Sequence, residues 1–238
     1  MTKNVWITGA SSGIGKALAI KFASEGWQVA ASARRENLLQ ELNKDNPKIH
    51  SFPLDVTDGS LCKKVFNNIV EKFQIIDICV FCTGIHDPQS EKKISEEKIR
   101  EIMEVNFFGT LNCIMAVNIY FREKQSGHIS IVSSVAGYRG FPAASGYCAS
   151  KAALTSLAES LYFDFKRYNV RVSLISPGFI KTPMTDKNKF PMPMIKSPEY
   201  AAEKMFIGLT KQNVFEIHFP KTLTMIMKLL KIIPNWLF

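Results

Sequence analysis

Short apolar runs alternate with longer helix-like segments along nearly the whole chain, and this alternation constrains the fold more than any other feature. The runs are Val5 to Thr8, Gln28 to Ala33, Ile49 to Leu54, Asp77 to Phe81, His128 to Val132, Val170 to Ile175 and Val214 to Phe219. Amphipathic stretches such as Lys16 to Glu25 and Leu61 to Phe73 lie between them. Strands that alternate with helices are joined by right-handed crossovers and form a parallel sheet covered on both faces. The expected fold class is therefore α/β, a doubly wound, seven-stranded parallel sheet. No repeat, low-complexity tract or linker divides the 238 residues, a length at which such folds are built as one domain. Residues 1–219 are read as that domain and 220–238 as an amphipathic tail. In such sheets ligands bind beyond the carboxyl ends of the strands, so the loops there are where chemistry is sought.

Composition narrows the class. With 46% hydrophobic and 21% charged residues, the chain is too apolar to be disordered. Its net charge of +9 favours anionic ligands or surfaces without choosing among them. The basic residues show no motif beyond general charge, so nucleic acid is not an expected partner. Five cysteines, an odd number in apolar contexts, exclude a disulfide framework and suit a reducing compartment. Cys79 and Cys82 form a lone C-x-x-C, but on a strand they point to opposite faces, and no second pair completes a metal site. His50, His86, His128 and His218 are isolated and are read as structural or solvated. The start of the chain passes directly into a strand, leaving no room for a secretory signal, and no run of about 20 apolar residues predicts a spanning helix. A cytoplasmic location is expected.

Directly after the first strand comes Thr8-Gly9-Ala10-Ser11-Ser12-Gly13-Ile14-Gly15, followed by a helical segment. Glycines at such a turn let the backbone approach a pyrophosphate and aim amide N–H groups and the helix dipole at it. This marks the domain as Rossmann-type. The second strand is followed by Arg34-Arg35, where an NAD-binding chain often carries an acidic residue. Two guanidinium groups suit a ribose 2′-phosphate, so NADP(H) is the expected cofactor, although the glycine loop adds no basic residue of its own.

Tyr147 and Lys151 are one helical turn apart and share a face. A phenol is a poor base near neutrality, but a neighbouring ammonium stabilises the phenolate. Ser134 follows the fifth strand, where its hydroxyl can reach a substrate carbonyl oxygen.

On these residues, together with Asp55, Asn106, Pro177-Gly178 and Thr182, the chain resembles a single-domain short-chain dehydrogenase/reductase from Val5 to about Thr182. The resemblance implies that Tyr147 donates the proton in reduction, that Lys151 also holds the nicotinamide ribose, and that Ser134 orients the carbonyl. It implies that Asn106 holds a water linking Lys151 to solvent and that Asp55 binds the adenine amino group. Pro177 and Gly178 then wall the nicotinamide and Thr182 bonds its carboxamide. The expected catalytic set is Ser134, Tyr147, Lys151 and Asn106. The expected cofactor set is Gly9, Ser11, Ser12, Gly13, Ile14, Gly15, Arg34, Arg35, Asp55, Val56, Gly84, Tyr147, Lys151, Pro177, Gly178 and Thr182, with no metal. One departure stands out: after the fourth strand the family usually shows Asn-Asn-Ala-Gly, and this chain has Phe81-Cys82-Thr83-Gly84. The second Asn ties the central strands together, so Cys82 puts in doubt how that region is held.

In the tail, Lys221, Thr224, Lys228, Lys231 and Asn235 form a narrow polar stripe. Leu223, Ile226, Met227, Leu230, Ile233, Trp236 and Phe238 form a wide apolar face. Three fates are open: contact with a membrane surface, packing under another subunit of a homo-dimer or homo-tetramer, and packing on its own domain. The tail suggests an apolar or lipid-like carbonyl or alcohol substrate, covered by Met184 to Ile195 as a mobile lid. The alternatives are a 3-oxoacyl-carrier-protein reductase, for which Arg122, Lys124, Arg139 and Lys166 would have to cluster, and an NADP(H)-binding sensor or scaffold without turnover.

Overall fold

The computed structural model describes residues 2–88 and 93–234. Seven strands, β1 (Asn4–Thr8), β2 (Gln28–Ser32), β3 (Ile49–Ser51), β4 (Ile78–Phe81), β5 (Gly127–Val132), β6 (Val170–Pro177) and β7 (Glu216–Phe219), form one sheet in the order β3-β2-β1-β4-β5-β6-β7. Every neighbouring pair is parallel. The seven-stranded, doubly wound expectation holds. β3 is shorter than the apolar run, although Phe52 N and Leu54 N still donate to Ala31 O (2.9 Å) and Ala33 O (3.0 Å), while β6 runs two residues longer to Pro177. The strand order reverses between β1 and β4, which opens a crevice at their carboxyl ends.

The connecting helices are α1 (Gly13–Ser24), α2 (Glu36–Asp45), α3 (Gly59–Phe73), α4 (Glu96–Met103), α5 (Gly109–Lys124), α6 (Ser145–Lys166), α7 (Pro198–Lys211) and α8 (Lys221–Ile232). Alternate strand residues face opposite layers, as the two-residue period of a strand requires. Val5, Ile7, Val29 and Val80 pack beneath α1, α2 and α7, against Leu18, Phe22, Leu39 and Phe206. Trp6, Ala30, Cys79 and Phe81 pack on the other side against Phe66 of α3, Val117 and Phe121 of α5, and Leu154 of α6. Trp6 is fully buried, and its indole N–H donates to Ser32 Oγ at 2.9 Å, so the ring is placed without an unmet polar group.

A π-helical turn over Glu104–Phe108 joins α4 to α5. The continuous run from Glu96 to Lys124 is long and apolar enough to cross a membrane by composition. One side of it, with Ile102, Cys113, Ile114, Val117 and Phe121, is buried within the protein, while Met115 and Ile119 on another side are exposed.

One face of α8 packs on the domain. Leu223, Thr224 and Met227 are buried, the first and last against Val135 and Tyr138. Arg139 Nη1 donates to the carbonyls of Leu230 (2.8 Å) and Ile233 (2.7 Å), satisfying the end of the helix. Lys228 pairs with Glu216, which also accepts from Tyr138 and from Ser176 Oγ at 2.7 Å. Asn235, Trp236 and Phe238 of the tail lie outside the described residues.

Candidate active site

The glycine loop leaves β1 through Gly9, whose φ of 71° is a left-handed conformation that favours glycine. A Cβ on Gly9 would meet Cys82 O at 2.8 Å, and one on Gly15 would meet Gly9 O at 2.3 Å. The turn is therefore as tight as two backbones can approach, with the first amides of α1 facing the crevice. Ser12, the residue capping α1, makes no side-chain cap bond, and the first helical turn holds no acidic residue. Its hydroxyl accepts instead from Arg35 Nη2 at 2.7 Å, while Ser11 Oγ accepts from Arg35 Nη2 (2.8 Å) and Nε (3.2 Å). The glycine loop thus does acquire a basic partner, one supplied by the end of β2 instead of by its own sequence. Uncapped amides, a positive helix end and a guanidinium clamped over two hydroxyls suit a phosphate-bearing nucleotide.

A cavity of about 410 Å³ runs from this loop along the carboxyl ends of the strands. Gly9, Ser11, Ser12, Gly13, Ile14, Gly15, Arg34, Arg35, Asp55, Val56, Gly84, Ser134, Tyr147, Lys151, Pro177, Gly178 and Thr182 all line it. Asp55 Oδ1 accepts from Thr57 N (3.0 Å) and Thr57 Oγ1 (2.8 Å), which fixes its carboxylate at the cavity wall. Thr182 Cγ2 lies 3.1 Å from where a Gly13 Cβ would stand, so the loop after β6 closes directly over the glycine loop.

Lys151 is 4% exposed, and its Nζ donates to Val132 O at 3.0 Å. Burial pushes its ammonium down to about 8, with the Cys82 thiol opposing that shift slightly. The Nζ lies 5.6 Å from the centroid of the Tyr147 ring. Ser134 Oγ accepts from Ala136 N at 3.1 Å, which orients the hydroxyl and leaves its proton to be donated. Asn106 is fully buried inside the π turn. Its side chain accepts from Ile85 N (2.7 Å) and donates to Ile85 O (3.0 Å) and Ser150 Oγ (3.0 Å), while its backbone carbonyl accepts from Thr110 Oγ1 at 2.8 Å. Asn106 therefore ties the loop after β4 to the helix that carries Tyr147 and Lys151.

The region around Cys82 is held by other means than an Asn amide: Cys82 N donates to Thr8 Oγ1 at 3.1 Å, across the two central strands. Its thiol is buried and pushed up to about 11, so it stays protonated near neutrality. Cys79 and Cys82 do face opposite layers of the sheet, and the five cysteines are free thiols. Among the described residues no group of His, Cys, Asp and Glu forms a metal site.

Beyond the wall formed by Ser134 and Tyr147 lies a second cavity of about 330 Å³, sharing Ser134, Tyr147, Gly178, Met184 and Thr185 with the first. Val135, Phe141, Phe179 and Phe190 supply its apolar lining, with His86 and Asn188 as polar members. His86, read from sequence as structural or solvated, stacks on Tyr147 with ring centroids 4.4 Å apart and planes tilted by 30°. A lone histidine between an isoleucine and an aspartate carries no signal of that contact; only the packing of the loop on α6 shows it. The basic residues considered for a carrier protein do not gather at the cavity. Arg122 and Lys124 end α5 and Lys166 ends α6, at the amino ends of β5 and β6, whereas Arg139 is engaged with α8.

A parallel doubly wound sheet whose glycine turn, buried lysine and tyrosine converge on one crevice defines a nucleotide-dependent oxidoreductase. The short chain dehydrogenase family model matches residues 3–212, and the chain belongs to that family. It is 34% identical over 236 residues to an uncharacterized oxidoreductase of Myxococcus xanthus, covering 98% of this chain and 93% of that one. It is 36% identical over 185 residues to a 3-oxoacyl-(acyl-carrier-protein) reductase of Thermotoga maritima, covering 76% and 75%. The solved structure of ElxO with NADP bound matches with a TM-score of 0.80 at 25% identity, over 92% of this chain and 98% of that one. A short chain dehydrogenase/reductase of Burkholderia phymatum in complex with NAD shares the fold at 22% identity, with a TM-score of 0.81 over 96% and 92%.

Proposed function

We propose that this chain transfers hydride between NADP(H) and an apolar carbonyl compound or its secondary alcohol. The observation that carries the reading is the wall shared by the two cavities, where Ser134 and Tyr147 stand between a phosphate-binding crevice, lined also by Lys151, and an apolar pocket. In reduction, the Ser134 hydroxyl donates to the substrate oxygen and polarises the carbonyl. The Tyr147 phenol passes its proton to that oxygen as charge develops, and the neighbouring Lys151 ammonium stabilises the phenolate that results. Bound in the first cavity, a reduced nicotinamide supplies the hydride that the carbonyl carbon accepts. Pro177, Gly178 and Thr182 would hold its nicotinamide end, and Asp55 and Val56 its adenine end.

The preference for NADP(H) rests on Arg35, clamped over Ser11 and Ser12, with Arg34 beside it. The apolar substrate rests on the aromatic lining of the second cavity. Five free thiols suit the reducing cytoplasm. A carrier-bound 3-oxoacyl substrate is the second reading, favoured by the Thermotoga maritima relative. Arg122, Lys124 and Lys166 lie at the amino ends of the strands, away from the pocket, which weighs against a docking patch beside it.

The test is NADPH oxidation over carbonyl compounds of graded chain length, with NADH in parallel. Activity should rise with chain length, and Arg35→Ala should cost NADPH about tenfold or more in affinity while barely changing NADH, since charge-assisted hydrogen bonds contribute about 1.5–3 kcal/mol. A wild-type preference for NADH would overturn the cofactor assignment. Tyr147→Phe should lower turnover by at least about a hundredfold with NADPH binding kept; a biological activity that survives it favours the sensor.

A further inference from the structure

Among the described residues, nothing covers the apolar face that α8 turns away from its own domain. Met225, Ile226, Leu229 and Ile232 are 58%, 47%, 60% and 75% exposed. Helical periodicity places all four on one stripe, with Lys221 and Lys228 along one border. Unsupported surface of this kind marks an interaction site.

A second exposed apolar set, Phe190, Met194 and Ile195, lies on the segment after β6. Phe179 links this second set to the opposite, covered face of α8. That residue packs in the cluster formed by Leu223 and Met227 of α8, stands 6.1 Å from the Phe190 ring, and lines the second cavity. The Phe190 segment thus borders the apolar pocket, and α8 is anchored beside it through its covered face.

Charge chooses the occupant. Residues 181–232 carry nine lysines against four carboxylates, and Lys187, Lys189, Lys221 and Lys231 are all exposed there. A second copy seated on this face by two-fold symmetry would bring these like charges together. An anionic bilayer meets them with complementary charge and accepts the apolar stripe in its interface, as lysine-bordered amphipathic helices do.

We propose that α8 and the segment around Phe190 dock the protein on an anionic lipid surface, so that the pocket loads carbonyl compounds dissolved in the bilayer. The docking stands without reference to turnover; the substrate class rests on the function proposed above.

The experiment sediments the full chain with phosphatidylcholine vesicles, with and without phosphatidylglycerol, beside the double variant I226E/L229E. Wild type should bind the anionic vesicles at least about tenfold better than the neutral ones, and less well as salt rises. The double variant should lose at least about tenfold in binding, and Lys221→Glu at least about fivefold, with melting temperature and NADPH binding unchanged. A milder pair, M225S/L229S, gives a graded loss should the glutamates disturb the helix. Turnover of a long-chain aldehyde held in vesicles should fall in I226E/L229E, while a short water-soluble aldehyde is reduced as before. Wild type that ignores anionic vesicles, or variants that bind them equally, overturns the docking, as does a wild-type oligomer that the double variant splits without any vesicle binding. Vesicle binding with no turnover of either aldehyde sinks the proposed function and leaves the docking standing.

Discussion

At Lys151 the proposed proton transfer and the stability of the fold depend on one buried ammonium. That ammonium titrates near 8 in the folded protein because it is buried, against about 10.4 for an unperturbed lysine. Between those values the unfolded chain binds more protons than the folded one, so the burial penalty is full below pH 8 and fades as pH rises toward 10.4. Lys151→Met should therefore gain on wild type at pH 7 relative to pH 10, by about 3 kcal/mol in the difference between the two, as read by urea unfolding at both. Wild-type reduction should also slow above about pH 8, as the charge that stabilises the phenolate is lost. His86 offers a second residue-scale prediction. Stacked aromatic pairs contribute about 0.5–1.5 kcal/mol, so His86→Ala should lower kcat by about twofold to tenfold and His86→Phe should restore it. A kcat for His86→Ala equal to wild type would show that the stack positions nothing. Lys151, Tyr147 and Ser134 were legible because their chemistry is written in residue type and spacing. His86 was not, since its contact depends on how a loop lies over a helix, and the bond from Arg35 to Ser11 and Ser12 joins residues that only the fold makes neighbours.

At the scale of elements, the strands were legible because a parallel strand buried on both faces is an uninterrupted apolar run. Their ends were less so, as β3 and β7 show, because the apolar runs extend past the paired residues, to Leu54 in one case and back to Val214 in the other. The tail was legible as an amphipathic helix but not in its orientation. Two opposite faces of α8 are apolar, and sequence could not say which one the domain covers. The covered one abuts the cofactor crevice: a Cβ on Gly178 would fall 2.6 Å from Leu223 Cδ2. Leu223→Ala should then cost about 2–4 kcal/mol of stability and weaken NADPH binding, measured by thermal unfolding and fluorescence titration. An unchanged affinity would mean that α8 and the Pro177–Gly178 wall are independent.

For the whole molecule, one surface feature bears on assembly. Met115 and Ile119 of α5 and Phe163 of α6 are 51%, 65% and 70% exposed, on helices that share one side of the sheet. We propose that a homo-dimer forms across this side, distinct from the lipid-facing stripe of α8. Ile119→Glu with Phe163→Glu should yield monomers in sedimentation velocity, with the fold kept by circular dichroism. Wild type that sediments as a monomer removes the proposal. Nothing in sequence alone separates these three residues from core residues of the same helices, because both faces of α5 carry apolar side chains.

The first helix also rests on the seventh: Phe22 meets Phe206 with ring centroids 5.0 Å apart, and Lys21 reaches Glu203 at 2.6 Å. A nascent chain leaving the ribosome therefore carries its phosphate-binding turn for most of synthesis without the partner that covers α1. Because this pairing spans most of the sequence, closure of that layer is a late event in folding. Until then an apolar helix is open to chaperones, and a truncated product that ends before α7 would be cleared as a misfolded fragment instead of persisting as a weak enzyme.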